Sequence, residues 1–128
     1  MVAVVARRIQ VAFDCANPTQ LQAFWAEALN YQPIPAEPGA DWAVLIDPDR
    51  VGPMVFFHRV PEAKAVKNRV HIDVLVAEGL PKEDTRPLVE AEVRRLCQYG
   101  ANHVRTDEEA AEYFAVMQDP EGNEFCIG

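Results

Sequence analysis

Cysteine is scarce in this chain: Cys15, Cys97 and Cys126 are the only three in 128 residues. Their number is odd, and their spacing matches neither a CxxC pair nor a zinc knuckle, so a disulfide scaffold and a zinc finger are both excluded. Free thiols, buried as small apolar side chains in a reducing compartment, are expected. Positive charge is also short, with 12 Lys and Arg against 20 Asp and Glu and a formal net charge of −8. Such a chain is repelled by a phosphate backbone, and nucleic acid is not an expected partner. No segment approaches the roughly 20 apolar residues of a membrane span. The apolar start Met1-Val2-Ala3-Val4-Val5-Ala6 is followed by Arg7 and Arg8, whereas a signal peptide carries its charge first. A cytoplasmic protein with no membrane partner is the expectation.

What remains is a chain of one-domain length with a 49% hydrophobic share, enough for a sizeable core. Residues 8–14 alternate as a strand, with Ile9, Val11 and Phe13 on one face and Gln10, Ala12 and Asp14 on the other. Asn17-Pro18-Thr19-Gln20 starts a helix: Asn17 suits the N-cap, Pro18 the first helical position, and Gln20 completes a capping box. Leu21, Phe24, Trp25, Ala28 and Leu29 form its apolar stripe. Residues 31–39 hold three prolines and read as a loop or irregular strand. Strands are expected at 41–46 and 53–60, separated by the turn Asp47-Pro48-Asp49-Arg50.

After the polar connection 61–68 the order repeats. Residues 70–76 read as a strand with Val70, Ile72 and Val74 on one face and His71 and Asp73 on the other. Asp84 or Thr85 is expected to cap a second helix whose inner face carries Val89, Val93, Leu96 and Cys97, with Gly100 in a left-handed conformation beyond its end. A short strand at 102–106, a stronger one at 112–118, the turn Asp119-Pro120-Glu121-Gly122 and a closing strand at 123–127 complete the pattern. Glu124 and Cys126 share a face of that last strand. The chain thus reads strand–helix–strands twice, module one spanning about 1–61 and module two about 68–128 of a single domain 1–128. Half-units of this kind bury their faces by pairing, and two such sheets side by side enclose a cleft. If the faces carrying His71, Glu124 and Cys126 meet, they form a polar pocket able to hold a metal or a small molecule.

Four stretches carry a family resemblance: Val11-Ala12-Phe13-Asp14-Cys15-Ala16-Asn17-Pro18, Leu21-Gln22-Ala23-Phe24-Trp25-Ala26-Glu27-Ala28-Leu29, Lys67-Asn68-Arg69-Val70-His71-Ile72-Asp73 and Asp119-Pro120-Glu121-Gly122-Asn123. Over nearly its whole length the chain resembles the glyoxalase/bleomycin-resistance/extradiol-dioxygenase (vicinal oxygen chelate) superfamily, in its glyoxalase-like domain branch. The Asp-Pro-acid-Gly-Asn turn is the most specific of these stretches. The resemblance implies an α+β fold of two βαβββ modules, with curved mixed sheets enclosing a cleft, and a homodimer.

For function, the resemblance implies a metal held by residues from the first and last strands of the modules. Carried over strictly, the positions are Gln10, His71 and Cys126; a relaxed reading gives Gln10, His58, His71 and Glu124, with Glu124 also the catalytic carboxylate. Asp14, Phe56, Asp73 and Cys126 are expected to line the pocket. Zinc, nickel, manganese and iron(II) all suit such donors. Closed in a cleft, Glu124 would have its pKa raised, which suits proton abstraction beside a carbonyl. Paired instead with Arg69 or a backbone amide, it is structural.

His58 and His103 read as surface residues when taken alone, and Cys126 as a buried small side chain. Two functional readings stand side by side. One is a divalent-metal-dependent lyase, isomerase or dioxygenase acting on a small molecule with vicinal oxygens. The other is a metal-free protein that binds an antibiotic or metabolite.

Overall fold

The computed structural model describes residues 4–128; the first three residues of the apolar N-terminal stretch lie outside it. Eight strands and two helices follow one another as β1 (Gln10–Cys15), α1 (Pro18–Leu29), β2 (Gln32–Pro33), β3 (Trp42–Ile46), β4 (Met54–Arg59), β5 (Ile72–Val74), α2 (Lys82–Cys97), β6 (Asn102–Glu108), β7 (Tyr113–Gln118) and β8 (Glu124–Ile127). They make two four-stranded mixed sheets, ordered β1-β4-β3-β2 and β5-β8-β7-β6. In each, the first strand pairs parallel with the last of its unit and the other pairings are antiparallel. The βαβββ unit used twice is therefore the architecture of this chain.

Alternation decides which face of each sheet is covered. On β1, Val11, Phe13 and Cys15 turn toward the helices, while Gln10, Ala12 and Asp14 are exposed on the other face. On β8, Phe125 and Ile127 are fully buried, and Glu124 and Cys126 turn to the open face. Helix α1 begins with the expected cap and first turn: the Asn17 side chain accepts the Gln20 N–H at 3.2 Å, and Pro18 follows it. The expected capping box is not closed, because the Asn17 N–H goes to Glu121. It ends at Asn30, whose φ of 54° is left-handed. Its stripe of Leu21, Phe24, Trp25 and Ala28 is buried; each large side chain contributes roughly 1.5–3 kcal/mol of burial.

One core serves both units. Trp25 lies 5.0 Å from Phe125 of the second sheet and 5.3 Å from Phe13 of the first, ring centre to ring centre, in tilted and edge-on contacts that aromatic quadrupoles favour. The turn before β8 locks the two units together. Buried Asp119 accepts the Trp25 indole N–H at 3.0 Å, and the Glu121 carboxylate accepts the N–H groups of Ala16 and Asn17 at 2.7 and 2.8 Å. Gly122, at φ +84°, lets that turn close.

Several expectations change here. Val70 is 84% exposed and precedes β5, so it does not share the buried side of Ile72 and Val74. The cap of α2 is Pro81, not Asp84 or Thr85; the Thr85 hydroxyl instead donates back to the Pro81 carbonyl at 3.0 Å. Cys97 is exposed rather than on the inner face, whereas Cys15 is buried and Cys126 half-buried. All three thiols are free.

Candidate functional site

The open face of the second sheet carries the chemistry. His71 stands just before β5, Asp73 lies two residues on, and Cys126 is the register partner of Asp73 on β8. A two-residue step keeps a side chain on one face of a strand, and register pairing sets neighbours side by side. The ligating atoms of His71, Asp73 and Cys126 accordingly lie within 4.8 Å of one another. His71 Nε2 is 3.2 Å from Asp73 Oδ1. These side chains line a cavity of about 370 Å³ whose walls also include Leu75, Glu78, Glu112, Tyr113 and Phe114. Burial pushes the Cys126 thiol above its ordinary pKa and the Asp73 carboxylate adds to the shift, while Arg105 and Lys67 oppose it.

His71 and Glu124 also line a second crevice of about 230 Å³, together with Val11, Ala12, Phe13 and Asp14 of β1.

The remaining expected site residues are placed differently. Glu124 keeps to the same face as Cys126, but its carboxylate accepts the Asn68 N–H at 3.1 Å and Lys64 Nζ at 3.4 Å, and the side chain is 14% exposed. Asn68 returns the contact, accepting the Glu124 N–H at 2.7 Å and donating to its carbonyl at 3.2 Å. Burial alone would raise the Glu124 pKa; the Asn68 backbone N–H and the Lys64 ammonium outweigh it and hold the carboxyl below its ordinary value. The expected rise is therefore reversed; of the two structural partners expected, a backbone amide is found in Asn68, and Lys64 takes the place of Arg69.

Gln10 and His58 belong to the first sheet, and neither lines the cavity. The His58 ring stacks on Trp42 at 4.0 Å and its Nδ1 is 3.9 Å from Asp14 Oδ1, in a row that β1, β4 and β3 hold in register. Phe56 sits in the next row, paired with Ala12 and Val44. His103 is exposed, its ring 2.8 Å from the Thr106 hydroxyl. The grouping of Asp73 and Cys126 with His71 as donors was missed by the relaxed ligand reading. The signal for Asp73 is its two-residue step from His71; for Cys126 it is the strict family position.

The matched family model describes a glyoxalase-like domain and spans residues 10–128. The chain belongs to the glyoxalase-like domain family. With it comes membership of the vicinal oxygen chelate superfamily, whose fold its solved neighbours share. A glyoxalase/bleomycin resistance protein/dioxygenase family enzyme from Burkholderia phytofirmans PsJN is similar with a TM-score of 0.67 and 21% identity, covering 92% of this chain and 94% of the other. A mutant of the fosfomycin resistance protein FosX from Listeria monocytogenes, in complex with Mn(II) and 1S,2S-dihydroxypropylphosphonic acid, is similar at 0.69 with 10% identity, over 97% and 90%. A glyoxylase/bleomycin resistance protein/dioxygenase domain from Frankia sp. EAN1pec matches at 0.66 with 13% identity, over 97% of each chain. At these identities the likeness is one of fold. No functionally curated protein matches this glyoxalase-like domain in sequence.

The donor set fits a divalent metal on chemical grounds. Imidazole, carboxylate and thiol on two adjacent strands supply three protein donors and leave room for a further ligand, as catalytic zinc sites do. Zinc–donor bonds of about 2.0–2.3 Å put donors of one tetrahedral ion roughly 3.3–3.8 Å apart. The His71–Asp73 pair already stands close to that spacing at 3.2 Å. Among the described residues, no helix is long and apolar enough to cross a membrane.

Proposed function

We propose that this glyoxalase-like domain is a small-molecule enzyme of the vicinal oxygen chelate type, working in the cavity on its second sheet with a divalent metal held by His71, Asp73 and Cys126. The observation that carries this reading is the convergence of those three donors within 4.8 Å on the wall of a cavity of about 370 Å³. A bound metal would act there as a Lewis acid toward a substrate with two adjacent oxygens.

The chain's own residues supply the rest. The His71 ring and the Asp73 carboxylate stand together, Nε2 3.2 Å from Oδ1, and are placed to offer their donors to one ion. Leu75, Tyr113 and Phe114 give the cavity an apolar wall against which a flat carbon skeleton would pack. Moving a proton beside a carbonyl requires a carboxylate in reach of the substrate. Glu124 is committed to Asn68 and Lys64, so this role passes to Glu78 or Glu112, which line the same cavity. The reaction class that follows is an isomerase- or lyase-type proton transfer. Gln10 and His58 lie outside this donor set. The working form is a homodimer, a reading supported by the exposure of Trp42, 53%, on the open face of the first sheet and of Leu75, 58%, just past the end of β5.

The test is metal content by mass spectrometry after loading with zinc, nickel, manganese and iron(II), in wild type and in His71→Ala. One metal per chain, lost in the variant, is the expected result. Absence of binding in both proteins would remove the metal from the mechanism and leave the metal-free ligand-binding protein as the reading.

A further inference from the structure

We infer that Cys126 binds the metal as a thiolate and makes the site selective for a thiophilic cation, zinc above all, over manganese. The inference rests on the proposed metal reading and goes beyond it by assigning the cation from the donors of this chain.

Three observations carry it. Cys126 is the direct register partner of Asp73, so its sulfur is fixed beside the carboxylate by the β5–β8 pairing rather than by a mobile loop. Its sulfur lies within 4.8 Å of the ligating atoms of both His71 and Asp73. It is half-buried on a cavity wall, whereas Cys97 is exposed and Cys15 is packed in the core, outside this cluster of donors. Imidazole plus thiolate is a borderline-soft set that suits zinc or cobalt(II), whereas manganese and magnesium favour sites built from oxygen. With a single carboxylate among its three donors, this site offers manganese little. The FosX structure that shares the fold was determined with Mn(II); this chain departs from that cation in the chemistry of its donors.

The experiment is a cobalt(II) titration of the full chain followed in the near ultraviolet, where a cobalt–thiolate bond gives an intense charge-transfer absorption and oxygen or nitrogen ligands do not. Wild type is expected to develop the band at one equivalent and lose it on adding zinc. Cys126→Ser is expected to lack the band and to bind zinc at least about 100-fold more weakly, with manganese binding changed much less. A second measurement needs no variant: zinc should protect Cys126 from alkylation in wild type, read peptide by peptide, while exposed Cys97 reacts at an unchanged rate and manganese gives no protection. Cobalt bound stoichiometrically and dependent on His71, but with no charge-transfer band or with no protection of Cys126, would overturn the thiolate assignment and leave the metal enzyme standing. Failure of every cation to bind would overturn both.

Discussion

The indole N–H of Trp25 donates a 3.0 Å hydrogen bond to Oδ2 of Asp119, joining the first helix to the closing turn of the second module inside a shared core. Both residues are essentially inaccessible, at 1% and 0% exposure. Asp119 also accepts from the backbone of Glu121 and Asn123 and from the Asn123 side chain. A carboxylate that saturates four donors is a positioning device: it fixes where β8 starts, and hence where Cys126 stands.

Asp119→Ala should therefore be among the most destabilising single changes in the chain. Leaving buried donors unpaired costs about 1–3 kcal/mol each, partly relieved by relaxation, so a loss of about 3 kcal/mol and a fall in Tm of roughly 10 °C are expected. Thermal and urea unfolding measure this. A loss under about 1 kcal/mol would show that the two modules are held by apolar packing alone.

Glu121→Ala removes the carboxylate that caps the Ala16 and Asn17 N–H groups. These bonds are solvent-exposed, so the expected cost is smaller, about 1 kcal/mol. Hydrogen exchange at those two amides should accelerate while the amides of β7 keep their protection.

The Glu124 carboxylate holds the connection between the modules through Asn68 and Lys64. In Glu124→Ala, trypsin should cut after Lys64 and Lys67 several-fold faster than in wild type, with metal uptake retained. Unchanged cleavage together with lost metal would return Glu124 to the ligand set.

Cys15 supplies a pH dependence. Burial, followed by the nearby Glu121 charge, pushes its thiol from 9.0 up to about 11. The folded state keeps the proton that the unfolded chain releases first. The stabilisation is therefore complete below about pH 9 and is lost as pH rises from 9 to 11, with a slope of at most about 1.4 kcal/mol per pH unit. Urea unfolding at pH 8–11 should show this decline in wild type, with a smaller slope in Cys15→Ala.

Local patterns were legible where local energetics decide. The α1 cap at Asn17, Pro18 in the first turn and the stripe from Leu21 to Ala28 depend on neighbours three or four residues away, and the structure places them as read. Val70 was not legible. Alternation assigned it to the strand, but the reciprocal bonds between Asn68 and Glu124, 56 residues apart in sequence, hold the chain in a bend that delays β5 to Ile72. The Pro81 start of α2 lacks a side-chain cap and gave no signal of the usual kind.

The site divides along the same line. Alternation alone puts His71 with Asp73 and Glu124 with Cys126, because a strand's side chains repeat every two residues whatever surrounds them. The repeated strand–helix–strands order follows from the residue pattern as well. What alternation leaves open is settled in three dimensions: the ligating atoms of Cys126, Asp73 and His71 come within 4.8 Å of one another, Glu124 bonds Asn68 and Lys64, and Gln10 and His58 belong to the other sheet. Those outcomes depend on parallel register between strands some 50 residues apart and on competition for one carboxylate by an amide and an ammonium from the connecting segment. Both are non-local terms, and no window along the chain contains them.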